Sequence, residues 1–210
     1  MISRFPVPEL EDLPEDLAER VGAIASRTGF VPNVLLAFGH RPAELRAFMD
    51  YHDAVMERRE GLSKAEREMI VVATSAARRC PYCVVAHGAI LRVRAHDARI
   101  SDLLAVNHRL APIDDRQRAM LDYALKLSLT PELVEEPDRE ALHAAGFGDE
   151  EIWDISAVVA LFALANRMAL AIDLRPNPEF HEMGRAAPTS PAADPGARRP
   201  TDAPREAAGT

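Results

Sequence analysis

Residues 68–92 read EMIVVATSAARRCPYCVVAHGAILR, and this stretch predicts two helices joined by a short turn. The first helix begins just after Ser63, which is followed three residues later by a glutamate and so fits a capping box. This helix extends to about Ala77 and is apolar on almost every side past its first turn, so we expect it to be central. Pro81 suits the first position of the second helix, because its missing N–H would have no helical partner there.

The rest of the chain also has helical patterning. No run alternates polar and apolar residues over the length of a strand, and the apolar residues are mostly Ala, Leu and Val, which favours helix. Further helices are predicted from Pro14 onward and over 42–59, 98–105, 114–129, 138–145 and 149–174. The fold class is therefore predicted to be all-α. A loose similarity between SKAEREMIVVATSAA and GDEEIWDISAVVALFALA leaves an internal helical duplication open.

The chain divides into a helical domain over 1–184 and a tail over 185–210. Its 210 residues are 48% hydrophobic, enough for one domain with a sizeable core. After Met183 the composition changes to Pro, Ala, Gly and charged residues without a large apolar side chain. Such a segment cannot bury enough surface to offset its ordering entropy, so the tail is predicted to be disordered.

Charge and composition exclude several classes of partner. The formal net charge is −8, which disfavours binding to nucleic acid or to an anionic membrane. No uninterrupted apolar run approaches the roughly 18 residues of a membrane-spanning helix. The N-terminus has no apolar segment of the kind that signal peptides contain, so we expect a cytoplasmic protein. In a reducing compartment a static disulfide is disfavoured, whereas a redox-cycling or metal-binding pair of cysteines is favoured.

The two cysteines of the chain, Cys80 and Cys83, lie three residues apart at a predicted helix start. With Pro81 as the first helical residue, both sulfurs fall in the first turn, where free N–H groups and the helix dipole stabilise a thiolate. His87 follows Cys83 by four residues and shares its helix face, so it can take the thiol proton. A peroxide would oxidise the attacking cysteine to a sulfenic acid, which condenses with the second thiol to a disulfide.

Other interpretations of the same residues remain open. Two thiolates and one imidazole supply three zinc ligands, although no second pair is near in sequence. An inert structural pair is a further alternative, whereas Val84 occupies the place that covalent haem attachment requires for histidine. His52 is expected at the surface or at an interface, and Trp153 in the core or at a subunit contact.

The motif resembles that of a known family. Glu68, twelve residues before Cys80, together with CPYC and His87, is similar to the motif of alkylhydroperoxidase D within the carboxymuconolactone decarboxylase superfamily. The aromatic Tyr82 resembles the peroxidase-related branch, whereas alkylhydroperoxidase D itself often has histidine there. RFPVPEL, FVPNVLLAF, AGFGDEEIWD and ALANRMA also resemble that branch, so the similarity covers roughly residues 1–184.

The resemblance implies an alkylhydroperoxidase D-like helical bundle and a thiol-dependent peroxidase. In this family Cys83 would attack hydrogen peroxide or a small organic hydroperoxide, and Cys80 would resolve the product and exchange electrons with a dithiol reductant, such as a lipoylated protein. Glu68 and His87 would form a proton relay, and Tyr82 would line the peroxide pocket. No cofactor is implied, because sulfur carries both electrons, and a homo-oligomer is expected.

Two other functions are weighed against this one. Relatives in the superfamily carry out decarboxylase-type chemistry on a ring lactone, but they lack the CPYC pair. A non-catalytic redox-sensing dithiol module would form the disulfide without turnover.

Overall fold

The computed structural model describes residues 1–185 as a bundle of helices, and this part of the chain contains no strand. The all-α prediction is confirmed. The helices are α1 (Glu15–Thr28), α2 (Asn33–Phe38), α3 (Pro42–Met56), α4 (Lys64–Ala77), α5 (Pro81–Ala95), α6 (Ile100–Asn107), α7 (Asp115–Leu129), α8 (Glu136–Ala144), α9 (Asp149–Ala171) and α10 (Glu179–Glu182). Three single 3-10 turns lie at Leu10–Asp12, His108–Leu110 and Pro131–Leu133.

Helix α4 is the centre of the bundle, as its apolar sequence predicts. It packs against α5, α6, α7 and α9, and Ile70, Val71 and Val72 are fully buried. The capping box at its start is present: the Glu66 backbone N–H donates to the Ser63 hydroxyl at 3.1 Å, and the Ser63 N–H donates to the Glu66 carboxylate at 2.8 Å. Because α4 is surrounded, any side chain that it directs towards α5 is shielded from water.

The turn between α4 and α5 sets the position of the first cysteine. Arg79 adopts a left-handed conformation with φ of 56°. The Cys80 N–H donates a hydrogen bond to the Ser75 carbonyl at 3.0 Å, and the Arg79 N–H donates one to the Ala76 carbonyl at 2.9 Å. These two bonds form the Schellman pattern of a helix end. Helix α5 then begins at Pro81, as predicted, and Cys80 is its N-cap.

Helix α9 ends at Ala171, three residues before its predicted end, for a similar reason. Asp173 is left-handed, with φ of 52°, and the Leu174 N–H turns back to the Ala169 carbonyl at 2.9 Å. The N-terminal segment pairs with this helix end, since the Arg4 N–H donates to the Ile172 carbonyl at 2.8 Å. The two ends of the described chain are thereby held together.

Helix α9 is apolar enough, over its 23 residues, to pass a composition test for crossing a membrane. Half of its most apolar window is buried inside the fold, and the helix carries Asp154 and Arg167. The core helix of a soluble protein meets the same test, so this property alone assigns no membrane role.

The predicted disordered tail over 185–210 lies outside the described residues except at its first position. Arg185 is described, and its guanidinium donates to both carboxylate oxygens of Asp102 at 3.0 Å.

Candidate active site

The start of α5 brings two reduced cysteines together in a buried position. Cys80 and Cys83 are only 1% and 3% exposed, and both are free thiols. The pKa of Cys80 is lowered to about 7, mainly by the interaction with the Cys83 thiol and also by the backbone N–H groups of Cys83 and Tyr82, against the opposing effect of burial. Cys80, at the N-cap position, is therefore the more acidic thiol of the pair.

Cys83 has the opposite electrostatics. Its hydrogen bond to Cys80 and its burial raise its pKa well above the usual range. The fully buried Ser75 hydroxyl, which has no conventional hydrogen-bond partner among the described residues, lies close enough to lower that pKa slightly. The two sulfurs therefore lose their protons in two separate steps, the first near pH 7 and the second far above it.

Only one of the two sulfurs reaches open space. Cys83 lines a cavity of about 670 Å³, and Cys80 does not. Most of the lining is apolar and comes from α1, α2, α3, α5, α9 and the α10 region. Its larger apolar side chains include Ile24, Leu35, Phe48, Met49, Ile90, Phe162, Phe180 and Met183. Access therefore favours Cys83 as the sulfur that meets a substrate, although Cys80 has the lower pKa.

A chain of charged groups leads away from the cysteines along the cavity. The His87 Nδ1 atom lies 2.8 Å from Oε2 of Glu68, and the other Glu68 oxygen accepts a hydrogen bond from Arg94 at 2.9 Å. Arg94 also donates to Glu57 at 2.8 Å, and Glu57 in turn accepts from Lys64. Glu68 is 2% exposed, so its charge is compensated by two hydrogen-bonded partners rather than by water.

Cys83 and His87 both line the cavity, as their four-residue spacing predicts for one helix face. No direct hydrogen bond joins the two side chains in the described structure. Phe162 of α9 packs edge-on against the imidazole at a centroid distance of 4.6 Å and holds the ring in place. With Nδ1 bonded to Glu68, the Nε2 atom is the nitrogen left for a ligand or a water molecule.

Tyr82 also lines the cavity, but its hydroxyl has a structural partner. It accepts a hydrogen bond from the Val34 N–H at 3.2 Å and so attaches the start of α5 to α2. Burial raises the pKa of this phenol, so it stays protonated and can donate its own proton to a ligand.

The sequence analysis missed several further polar residues that line the same cavity: Arg27, Thr28, His52, Asp53, Glu57 and Arg94. Arg94 lies seven residues after His87, two turns along the same face of α5, and this spacing was a usable signal. His52 was expected at the surface or at an interface, but α3 directs it to the cavity wall. His52 follows Phe48 by four residues on the apolar stripe of α3, and this spacing was a signal too, whereas Glu57 has none. Within residues 1–185 no cluster of three His, Cys, Asp or Glu side chains is arranged to hold a metal ion.

Comparison with known proteins identifies relatives of the whole helical domain. Residues 42–126 match the carboxymuconolactone decarboxylase family. The chain is 56% identical to the alkylhydroperoxidase AhpD core of a peroxidase-related protein from Ralstonia eutropha JMP134, with a TM-score of 0.87, covering 89% of this chain and 98% of that one. It is 39% identical to a peroxidase-related protein from Silicibacter sp. TM1040, with a TM-score of 0.83, covering 88% and 96%.

A more distant structure shares the fold alone. The debrominase Bmp8 is 19% identical to this chain, with a TM-score of 0.73, covering 88% of this chain and 96% of that one. No curated protein matches the chain.

Proposed function

Because the chain belongs to the carboxymuconolactone decarboxylase family, among its alkylhydroperoxidase D-like members, we propose that it is a thiol-dependent peroxidase acting on hydrogen peroxide or small organic hydroperoxides. One observation carries the proposal: Cys83 lines a cavity next to Cys80, and the interaction with the Cys83 thiol is the main cause that lowers the pKa of Cys80 to about 7. At neutral pH the pair carries between one and two protons, and the reaction requires the Cys83 proton to pass to Cys80. Transfer from Cys83 to Cys80 leaves a thiolate facing the cavity.

The reaction then uses both sulfurs. The Cys83 thiolate attacks one peroxide oxygen, the O–O bond breaks, and Cys83 becomes a sulfenic acid. The other oxygen leaves as an alkoxide or hydroxide and takes up a proton to give an alcohol or water. Nε2 of His87, whose Nδ1–H is held by Glu68, accepts the proton that the cysteine pair gives up and passes it to the leaving oxygen. Cys80 attacks the sulfenic sulfur, the disulfide forms and water is released.

A dithiol returns the two electrons and is itself oxidised to a disulfide. The resemblance assigns this exchange to Cys80, which does not line the cavity of the reduced protein. The exchange therefore requires either that the first turn of α5 opens after oxidation or that a slender dithiol reaches the disulfide through the cavity. A lipoyl group on a protein arm has the required shape, and we propose such a donor in the cytoplasm.

The pair of cysteines also separates this function from its rivals. Decarboxylase-type chemistry on a lactone does not need two sulfurs, and a debrominase with the same fold means that the fold alone does not select the substrate. A redox-sensing module would form the disulfide but would not be turned over.

The test is single-turnover oxidation followed by mass mapping. The reduced protein is mixed with one equivalent of peroxide and quenched, and we expect an intramolecular Cys80–Cys83 disulfide that dihydrolipoamide reduces again. Cys80→Ser should stop at a sulfenic acid on Cys83, and Cys83→Ser should consume no peroxide. Peroxide turnover that survives Cys83→Ser would exclude the proposal, and a disulfide that no dithiol reduces would favour the sensor.

A further inference from the structure

The cavity that Cys83 lines is much larger than hydrogen peroxide needs. Its volume is about 670 Å³, which lies in the range of sites that bind ligands of drug size. A water molecule fills about 30 Å³ of the liquid, and hydrogen peroxide has only one oxygen more, so it leaves most of the cavity unfilled. Because the lining is mostly apolar, the unfilled part suits a hydrocarbon.

The cavity has a buried end at the sulfur and an open end at the other end of α5. The lining residues that are exposed are Arg27, Asp53 and Glu57, whereas Cys83 is 3% exposed. Glu57 accepts a hydrogen bond from Arg94, which follows Cys83 by eleven residues on α5 and so lies about 16 Å further along the helix axis. A ligand that enters at the open end and reaches the sulfur must therefore be long and narrow.

The pairing of α1 with α3 places Arg27 at this open end. The two helices run side by side in the same direction, since Asp16 accepts from Arg46 at 2.7 Å and, one turn later, Asp53 accepts from Arg20 at 2.7 Å. Arg27 lies seven residues after Arg20, two turns further along the same face of α1. It therefore lies beside the C-terminal end of α3, where the exposed carboxylates of the lining are.

Arg27 gives the open end a positive charge that no carboxylate of the lining compensates. Its exposed guanidinium makes no ion pair or hydrogen bond with another residue of the described range 1–185. Every carboxylate of the lining already accepts a hydrogen bond from another cation: Asp53 from Arg20, Glu57 from Lys64 and Arg94, and Glu68 from Arg94. An anionic group of a ligand can therefore pair with Arg27 without displacing a protein carboxylate.

We propose that the cavity binds a long-chain fatty-acid hydroperoxide, with its carboxylate at Arg27, its hydrocarbon chain along α5 and its peroxide group at the Cys83 sulfur. This inference rests on the proposed function and names its substrate class. A neutral hydroperoxide would make no use of the charge at the open end, and a short one would not span the distance from Arg27 to the sulfur.

The chemistry is that of the proposed peroxidase with a larger leaving group. The Cys83 thiolate attacks the terminal oxygen of the hydroperoxide, the O–O bond breaks, and Cys83 becomes a sulfenic acid. The fatty-acid alkoxide takes up a proton and leaves as a hydroxy fatty acid. Cys80 then attacks the sulfenic sulfur and releases water, and the dithiol donor returns the two electrons.

The first experiment measures binding without reaction, by calorimetric titration of the reduced full chain with oleate below its micelle concentration. Oleate should bind at one site per chain and more tightly than oleyl alcohol, which has the same hydrocarbon chain without the charge. Arg27→Gln should weaken oleate binding by about 5-fold, the upper end for an exposed ion pair, and should leave the affinity for oleyl alcohol unchanged.

The matched control is Arg99→Gln, which removes the same charge from an exposed residue outside the cavity, at the start of α6. It should keep the wild-type affinity for oleate. Absence of oleate binding overturns the proposal. Equal affinities for oleate and oleyl alcohol, or an oleate affinity that Arg27→Gln does not change, overturn the place of the carboxylate at Arg27.

The second experiment compares second-order rates of Cys83 oxidation by linoleic acid hydroperoxide, its methyl ester and hydrogen peroxide, measured by stopped-flow fluorescence. The acid should react fastest, and Arg27→Gln should lower the ratio of acid to ester rates by about 5-fold, whereas Arg99→Gln keeps it. Rapid oxidation by hydrogen peroxide without oleate binding keeps the proposed function and overturns this substrate class. Oleate binding to a chain whose Cys83 no peroxide oxidises overturns the proposed function, and the cavity is then a fatty-acid site without peroxidase chemistry.

Discussion

The Nδ1 atom of His87 on α5 lies 2.8 Å from Oε2 of Glu68 on α4, although the two residues are nineteen positions apart in sequence. A carboxylate accepts hydrogen bonds, so this contact places the imidazole proton on Nδ1 and leaves Nε2 for the cavity. Arg94 occupies the other oxygen of Glu68 at 2.9 Å, which holds the carboxylate in one orientation. The contact thus sets both the tautomer and the direction of the ring.

Replacing Glu68, the hydrogen-bond acceptor of His87, should therefore slow the oxidation of Cys83 without removing the thiolate. In Glu68→Gln the amide can present either its oxygen or its NH₂ group to Nδ1, so the tautomer of His87 is no longer fixed. We expect the second-order rate of Cys83 oxidation by peroxide, measured by stopped-flow fluorescence, to fall by about 10²-fold, near the lower end of the range for general acid–base catalysis. Glu66→Gln, on the same helix but bonded to Arg116 and Ser63, is the control and should keep the wild-type rate. An unchanged rate in Glu68→Gln would remove Glu68 from the relay.

The cysteine pair should release one proton near neutral pH. Because the pKa of Cys80 is lowered to about 7 and that of Cys83 is raised, thiolate absorbance at 240 nm should rise by one equivalent as the pH increases through about 7. Below that pH the pair is fully protonated and peroxide oxidation should slow in parallel. Cys83→Ala removes the hydrogen bond that contributes most to the lowered value, so the pKa of the remaining Cys80 should move upward towards that of a free thiol. A midpoint that stays near 7 in Cys83→Ala would mean that the helix start alone stabilises the thiolate.

Access and acidity favour different cysteines, and a bulky reagent separates the two effects. Cys80 has the lower pKa, but only Cys83 lines the cavity. A large aromatic maleimide at limiting concentration should therefore label Cys83 first, as read by peptide mass mapping of the wild-type chain at pH 8. Unfolding the protein in guanidinium before labelling is the control, and both sulfurs should then react at similar rates. Labelling of Cys80 first in the folded protein would show that this sulfur is reached by a route outside the cavity.

The parts of the fold that the sequence predicts well are those with local signals. The bounds of α4 and the start of α5 agree with prediction, because a capping box and a helix-start proline mark the two helix starts. Helix α2 has no comparable signal. Its first N–H, that of Asn33, is satisfied by the Asn177 side chain at 2.8 Å, a partner 144 residues away. A helix of six residues held by tertiary contacts is therefore not visible in its own sequence.

In the candidate site, too, the features with a local sequence signal were predicted and those set by helix packing were not. The four-residue spacing of Cys83 and His87 is local, and the structure brings both residues to one cavity. Glu68 was assigned to the relay by resemblance alone, and its contact with His87 depends on how α4 packs against α5. Cys80 does not line the cavity because of how several helices pack together. Residue spacing along the chain does not predict this.

The left-handed residue ahead of the cysteines supplies a test of the turn itself. Arg79 has φ of 56°, a conformation that costs a residue with a side chain roughly 1–2 kcal/mol and costs glycine little. Arg79→Gly keeps the two backbone hydrogen bonds of the helix end, so it should stabilise the protein by about 1 kcal/mol and raise its melting temperature by about 2–4 °C in scanning calorimetry.

The same substitution at the neighbouring Arg78 should have the opposite effect on the melting temperature. Arg78 has φ of −85°, where glycine offers no relief, and its Nε donates to the Ser128 hydroxyl at 3.3 Å. Arg78→Gly adds conformational freedom to the unfolded chain and loses that hydrogen bond, so it should lower the melting temperature. If Arg79→Gly destabilises the protein as Arg78→Gly does, the turn does not hold a left-handed residue in solution. The position of Cys80 as the N-cap of α5 would then have to rest on Pro81 alone, because the Schellman hydrogen bond from its N–H requires that conformation.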